Sequence, residues 1–170
     1  MRRIIMAGLA ATGIIAAGLW SEPVRAADDT VALAKALPGA TVPLQQGLTV
    51  SEREGKPISG KYELEDGALQ LSVYTEKDGK FTEVIVDHKS GAVKRAEAIT
   101  DADDLKNANE QNTAMKAAKI SLSSATMQAV TANAGYNAIK AVPTTKNGHP
   151  IADISLIKGE AVKEVEQKLD

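Results

Sequence analysis

The chain holds two histidines, His88 and His149, and no cysteine among its 170 residues. A serine hydrolase needs a base beside its nucleophile and a third group to orient that base. Both histidines fall in predicted turns, and no serine stands in the glycine-x-serine-x-glycine setting of a nucleophile elbow. The sequence therefore assigns no catalytic residue. Asp87 beside His88, with Asp101, Asp103 and Asp104, offers the oxygen and nitrogen atoms that metals use. Adjacent strand residues point to opposite faces, however, and acidic residues in a helix's first turn answer its dipole. No metal site and no cofactor are assigned. Tyr62 and Tyr74 are the binding candidates: they lie on neighbouring predicted strands, where aromatic rings on a sheet face form recognition surfaces. Tyr74 points away from Leu71 and Val73, which predicts exposure.

The elements that must position these residues are strongly punctuated. Asp28 to Leu37 reads either as a short helix ended by Pro38-Gly39 or as a segment without fixed structure. Pro43 to Glu54 carries Leu44, Leu48 and Val50 at helical spacing and ends at Gly55. Strands follow from Ile58 to Glu65, over Leu69 to Tyr74 and from Phe81 to Asp87, separated by Asp66-Gly67 and Asp78-Gly79. Such dipeptides suit hairpin turns, where the central residues take positive φ. The Phe81 strand, with apolar residues on both faces, is predicted to be the most buried. After it, Asp87 to Gly91 reads as a turn leading to a short return strand.

Thr100 to Lys119 is predicted to be a connecting helix with Asp101 near its start and Leu105, Ala108, Met115 and Ala118 on a thin apolar stripe. A second helix follows, capped by Ser121 or Ser123 and closing at Gly135. Strands Ile139 to Thr145 and Ile151 to Ile157 flank the turn Asn147-Gly148. A further turn at Lys158-Gly159 leads to Ala161 to Leu169, which fits either helical or strand spacing. Gly159 and the matching strand of the first half favour strand.

Arg2 and Arg3, the apolar run Ile4 to Leu19 and the small residues ending at Ala26-Ala27 follow the order of a secretory signal. Cleavage after Ala26 puts Val24 and Ala26 at the two positions that must be small. Removing residues 1–26 takes away Arg2, Arg3, Arg25 and Glu22, leaving 17 basic and 21 acidic residues and a net charge near −4. A mildly acidic surface without basic clusters argues against nucleic acid or anionic lipid as partner. The expected product is soluble in the periplasm or outside the cell, with no membrane attachment after cleavage. With no disulfide available, its stability must come from its core.

The punctuation repeats. Setting Gly55 on Gly135, Asp66-Gly67 on Asn147-Gly148 and Asp78-Gly79 on Lys158-Gly159 makes each half a helix followed by three strands. The first half ends in Val86-Asp87-His88-Lys89-Ser90-Gly91, and this resembles the PepSY domain, whose usual ending is valine-aspartate, two variable residues, threonine or serine, then glycine. The resemblance covers about residues 42 to 96 and, in weaker form, 121 to 170. It implies an α+β, cystatin-like fold of two tandem helix-plus-three-stranded antiparallel meander units. Under that reading residues 1–26 are the signal peptide and 27–41 an N-terminal segment. The first unit spans 42–99, the connecting helix 100–120 and the second unit 121–170. The resemblance further implies an envelope location and a non-enzymatic role in binding or modulating a protein partner, as a peptidase inhibitor or regulator. It carries no catalytic residue; what transfers is Asp87 and Gly91 as turn residues. The alternative role is a periplasmic carrier of a small ligand or metal.

Overall fold

The computed structural model describes residues 30–170; the predicted signal peptide lies outside them. Among the described residues, the first element is helix α1, residues 30–36, followed by a 3₁₀ turn at Leu37–Gly39, α2 (Leu44–Ser51) and four strands. These are β1 (Lys56–Glu65), β2 (Ala68–Lys77), β3 (Lys80–Val86) and β4 (Val93–Ala98). Two helices follow, α3 (Ala102–Ala117) and α4 (Leu122–Ala132), and then β5 (Asn137–Lys146), β6 (His149–Lys158) and β7 (Ala161–Lys168). The first half thus holds a four-stranded meander rather than three strands, because the segment after Gly91 pairs with β3 along its length. The closing segment is a strand, as its turn predicted.

Turn chemistry sets the hairpins. Asp66 and Gly67, Asp78 and Gly79, and Asn147 and Gly148 all take positive φ, the backbone that joins two twisted strands through two residues. The fourth turn lies one residue later than predicted. Lys158 pairs with Ala161, so Gly159 and Glu160 are its central residues, and only Gly159 has positive φ. Glycine first and an ordinary residue second is the other favoured hairpin turn. The two later helices start where their caps stand. The Asp101 carboxylate accepts the amides of Asp103 and Asp104, and the Ser121 hydroxyl accepts that of Ser124.

All seven strands form a single antiparallel sheet in the order β4-β3-β2-β1-β5-β6-β7. Helices cover both faces. Gly60 and Tyr62 of β1 face α2: a side chain at Gly60 would meet Leu48 and Leu44, and the Tyr62 hydroxyl reaches the Val42 carbonyl. α4 lies beside α2 on this face, where Ser123 donates to the Gln45 carbonyl. Residues of opposite parity, Ser59 and Lys61, face α3, which crosses the centre of the other side. Far from being a mere connector, α3 is a layer of the fold.

The core between the sheet and the α2–α4 pair holds Leu44, Leu48, Leu71, Val73, Ile154 and Leu156, all without exposed surface. The most buried strand is β6 rather than β3. Both α3 and α4 pack against β6, whereas β3 borders the exposed edge strand β4.

Candidate functional site

An open cleft of about 320 Å³ lies between α3 and the centre of the sheet. Its helical wall is Asp104, Asn107, Ala108 and Gln111, a stripe at the three- and four-residue spacing of one helix face. Ala108, the small residue in that stripe, is buried and lets α3 approach the sheet. The floor comes from β1, β2 and β5 and includes Ser59, Lys61, Tyr74 and Lys140. Polar residues line both walls, while the thin apolar stripe of Leu105, Ala108, Met115 and Ala118 packs into the core or against it.

Hydrogen bonds fix this floor. The Ser59 hydroxyl donates to Gln111 Oε1 at 2.8 Å and ties β1 to α3. Gln70 donates to Ser72 Oγ, and Ser72 in turn donates to Glu63 Oε1 at 2.8 Å. The other oxygen of Glu63 pairs with Lys61 Nζ at 2.7 Å. Lys61 Nζ also stands 5.8 Å from the centre of the Tyr74 ring, within range of a cation–π attraction. The Tyr74 hydroxyl donates to Glu83 Oε1. Burial, reinforced by the charges of Glu83 and Glu63, pushes the Tyr74 phenol well above its ordinary range. Burial likewise raises the Glu83 carboxyl, although the Tyr74 bond acts in the other direction. The site is therefore a held network of one cation, two carboxylates and a neutral phenol beside an open space.

The two tyrosines singled out in the sequence do not share a surface. Tyr74 lines the cleft, half-buried rather than exposed. Tyr62 lies on the opposite face, 6 % exposed, with its phenol raised to about 12 by burial and its hydroxyl bonded to the Val42 carbonyl. The separation was legible: the two-residue turn pairs Glu65 with Ala68, and counting back sets Tyr62 across from Leu71 and Ser59 across from Tyr74. Tyr74 therefore shares the face of Ser59, and Tyr62 shares that of Leu71.

Asp87 and Gly91 form the turn expected of them. Asp87 Oδ1 accepts the amides of Lys89 and Ser90, and the Gly91 amide donates to the Asp87 carbonyl. Lys94, at 2.7 Å, and those two amides hold the Asp87 carboxyl well below the usual carboxylate range. Gly91 has a φ of 76°, and a side chain there would crowd Gln46 of α2. The turn is also docked, since the His88 carbonyl accepts the amides of Thr41 and Val42. His149 lies in the β5–β6 turn region and pairs with Asp170 at 2.7 Å. Neither histidine belongs to the cleft lining. Among the described residues, no three histidine, aspartate or glutamate side chains converge as a metal requires, and no helix is long and apolar enough to cross a membrane.

Lys61, Lys140, Asn107 and Gln111 are the cleft residues that the sequence reading passed over. A polar stripe at i, i+3, i+7 in a helix with so few apolar residues was the available signal. The meeting of Lys61 with Lys140 had none, because it depends on the pairing of β1 with β5. No family model, curated protein or solved structure matches this chain.

Proposed function

We propose that this chain is an exported, non-enzymatic protein of PepSY type that binds or modulates a protein partner in the cell envelope, with peptidases as the partner class. The observation that carries the binding reading is the open cleft beside α3, where Tyr74, Lys61, Asn107 and Gln111 offer a ring, a cation and two carboxamides. Open, polar and aromatic-floored, it suits a segment of another chain lying across it. The Ser59 hydroxyl donates to the Gln111 amide oxygen, which supports a holding role for it over a reacting one.

Support for the tandem, PepSY-type arrangement comes from the strand positions. β5, β6 and β7 begin 81 residues after β1, β2 and β3 (137 − 56, 149 − 68 and 161 − 80). α4 ends the same distance after α2 (132 − 51). The irregularity in β1 falls between Pro57 and Ser59, and that in β5 between Ala138 and Lys140, which leaves Ile58 and Ile139 as the unmatched residues. Their separation is again 81 (139 − 58). This spacing replaces the alignment of Gly55 with Gly135 and of Asp78-Gly79 with Lys158-Gly159, each one residue out.

A photo-reactive residue at position 107 of the full chain, presented to an envelope extract, tests the partner reading. Cross-linking to a defined protein from position 107, absent from position 116 and lost with Tyr74→Ala, is the expected result. A peptidase assay on the captured protein, with and without the chain, then tests the partner class. Equal labelling from both positions would remove the reading. A second reading, a carrier of a small ligand, rests on the cleft volume, which is near the lower end of the roughly 300–1,000 Å³ of ligand pockets. Native mass spectrometry of the protein from the envelope reads out that alternative as added mass.

A further inference from the structure

At the centre of the sheet, the β1–β5 register sets Lys61 directly opposite Lys140. Directly opposed residues of antiparallel strands project from the same face with their Cβ atoms close together, and like charges so placed work against the pairing. Lys61 has Glu63 as counter-ion at 2.7 Å. Among the described residues, no carboxylate lies within ion-pairing distance of Lys140. Glu63 offsets the repulsion at Lys61 alone, which leaves the Lys140 ammonium in the floor of the cleft for a guest to meet.

The groups around the pair are donors. An ammonium carries three N–H groups, so Lys61 retains two beyond its bond to Glu63. Gln111 engages its amide oxygen with the Ser59 hydroxyl, which leaves its NH₂ group to donate. Asn107 stands one turn earlier on the same helical face and brings a second carboxamide to the lining. The Tyr74 hydroxyl gives its one proton to Glu83, so it has no donor left for a guest and contributes its ring. Asp104, also in the lining, limits the charge. Glu63 already answers Lys61, so Lys140 is, among the described residues, the one cation of the lining without an ion-paired carboxylate, and a single such charge matches a carboxylate better than a doubly charged phosphate.

We propose that the cleft is a carboxylate-recognition site, in which an acidic side chain of the partner sits between Lys61 and Lys140 and accepts from the carboxamides of Asn107 and Gln111. The partner's side chain as source of the carboxylate rests on the partner-binding reading above; the carboxylate chemistry itself does not. Binding exchanges the repulsion between two cations for two charge-assisted hydrogen bonds. Because the lysines come from β1 and β5, the guest also bridges the two halves of the sheet.

The test is an amide NMR titration of the full chain with acetyl-Ala-Glu-Ala-amide, its glutamine counterpart and succinate. The expected result is saturable movement of the Gly60, Lys61, Lys140 and Ala141 amides with the glutamate peptide and none with the glutamine peptide. Lys140 is exposed, so Lys140→Gln leaves the fold intact, and it is expected to weaken glutamate-peptide binding at least tenfold. Lys61→Gln is expected to do the same and serves as the second variant. Equal response to the two peptides, unchanged affinity in Lys140→Gln, or no movement with any acid overturns the site. Succinate binding far more tightly than the peptide keeps the carboxylate site and assigns it to a free acid, against the partner reading. A partner that cross-links equally to wild type and Lys140→Gln keeps the partner reading and removes this site.

Discussion

Gly47 lies in the middle of α2, where α2 meets β2. At an exposed helical site, glycine to alanine gains roughly 0.5–1 kcal/mol, because alanine loses less backbone freedom on folding. Gly47 is buried, and a Cβ there would stand 2.7 Å from Leu71 Cδ2 and 3.2 Å from its Cγ. Carbon atoms rest about 3.5–4.0 Å apart, so Leu71 must retreat by about 1 Å or α2 must lift. Leu71 has no exposed surface and nowhere open to move. Overpacking of this kind costs about 1–3 kcal/mol, which outweighs the helical gain and leaves Gly47→Ala destabilised by about 1 kcal/mol. Urea unfolding followed by circular dichroism should show a lower midpoint with an unchanged slope. Leu71→Ala alone should cost about 2–5 kcal/mol. The double variant should lose at least ~1 kcal/mol less than the sum of the two, since the shortened side chain makes room for the new methyl group. A raised midpoint in Gly47→Ala, or strict additivity in the pair, would refute the seating of α2 on β2 at this distance.

Tyr62→Phe should lower stability by about 1–2 kcal/mol, because it strips the buried Val42 carbonyl of its hydroxyl donor, while leaving partner cross-linking from position 107 unchanged. Loss of cross-linking at full stability would place Tyr62 in the binding surface after all. Burial holds the folded Glu83 carboxyl above its ordinary value of 4.5, so the folded state keeps that proton to higher pH than the unfolded chain does. Stability from this group then falls as pH rises from about 4.5 through the raised value. Glu83→Gln should therefore stabilise the protein at neutral pH and lose that advantage in more acidic buffer, as read from urea midpoints at several pH values. An advantage independent of pH would show that burial of the charge is not its cause.

The features fixed within a few residues were legible in the sequence. Asp66-Gly67, Asp78-Gly79 and Asn147-Gly148 mark hairpins because few other pairs accept positive φ at both centres. Asp101 and Ser121 mark helix starts because their side chains satisfy amides two or three positions on. The Asp87 to Gly91 turn is local in the same sense. At Gly159 the glycine was right and its place in the turn was not, since a lone glycine fits either central position until the strand pairing decides.

What only the tertiary structure decided is which surfaces meet. β1 and β5 are separated in the chain by three strands and two helices, and no local pattern specifies their pairing. That pairing merges the two halves into one sheet and opposes Lys61 to Lys140. α3 reads as a connector because its apolar stripe is thin; the polar stripe beside it gains its reason only when Gln111 and Asp104 share a cleft with Ser59 and Lys61 of the sheet. Within a strand, alternation follows from backbone geometry alone, whereas contact across strands and layers depends on register and packing, which are set by the whole core at once.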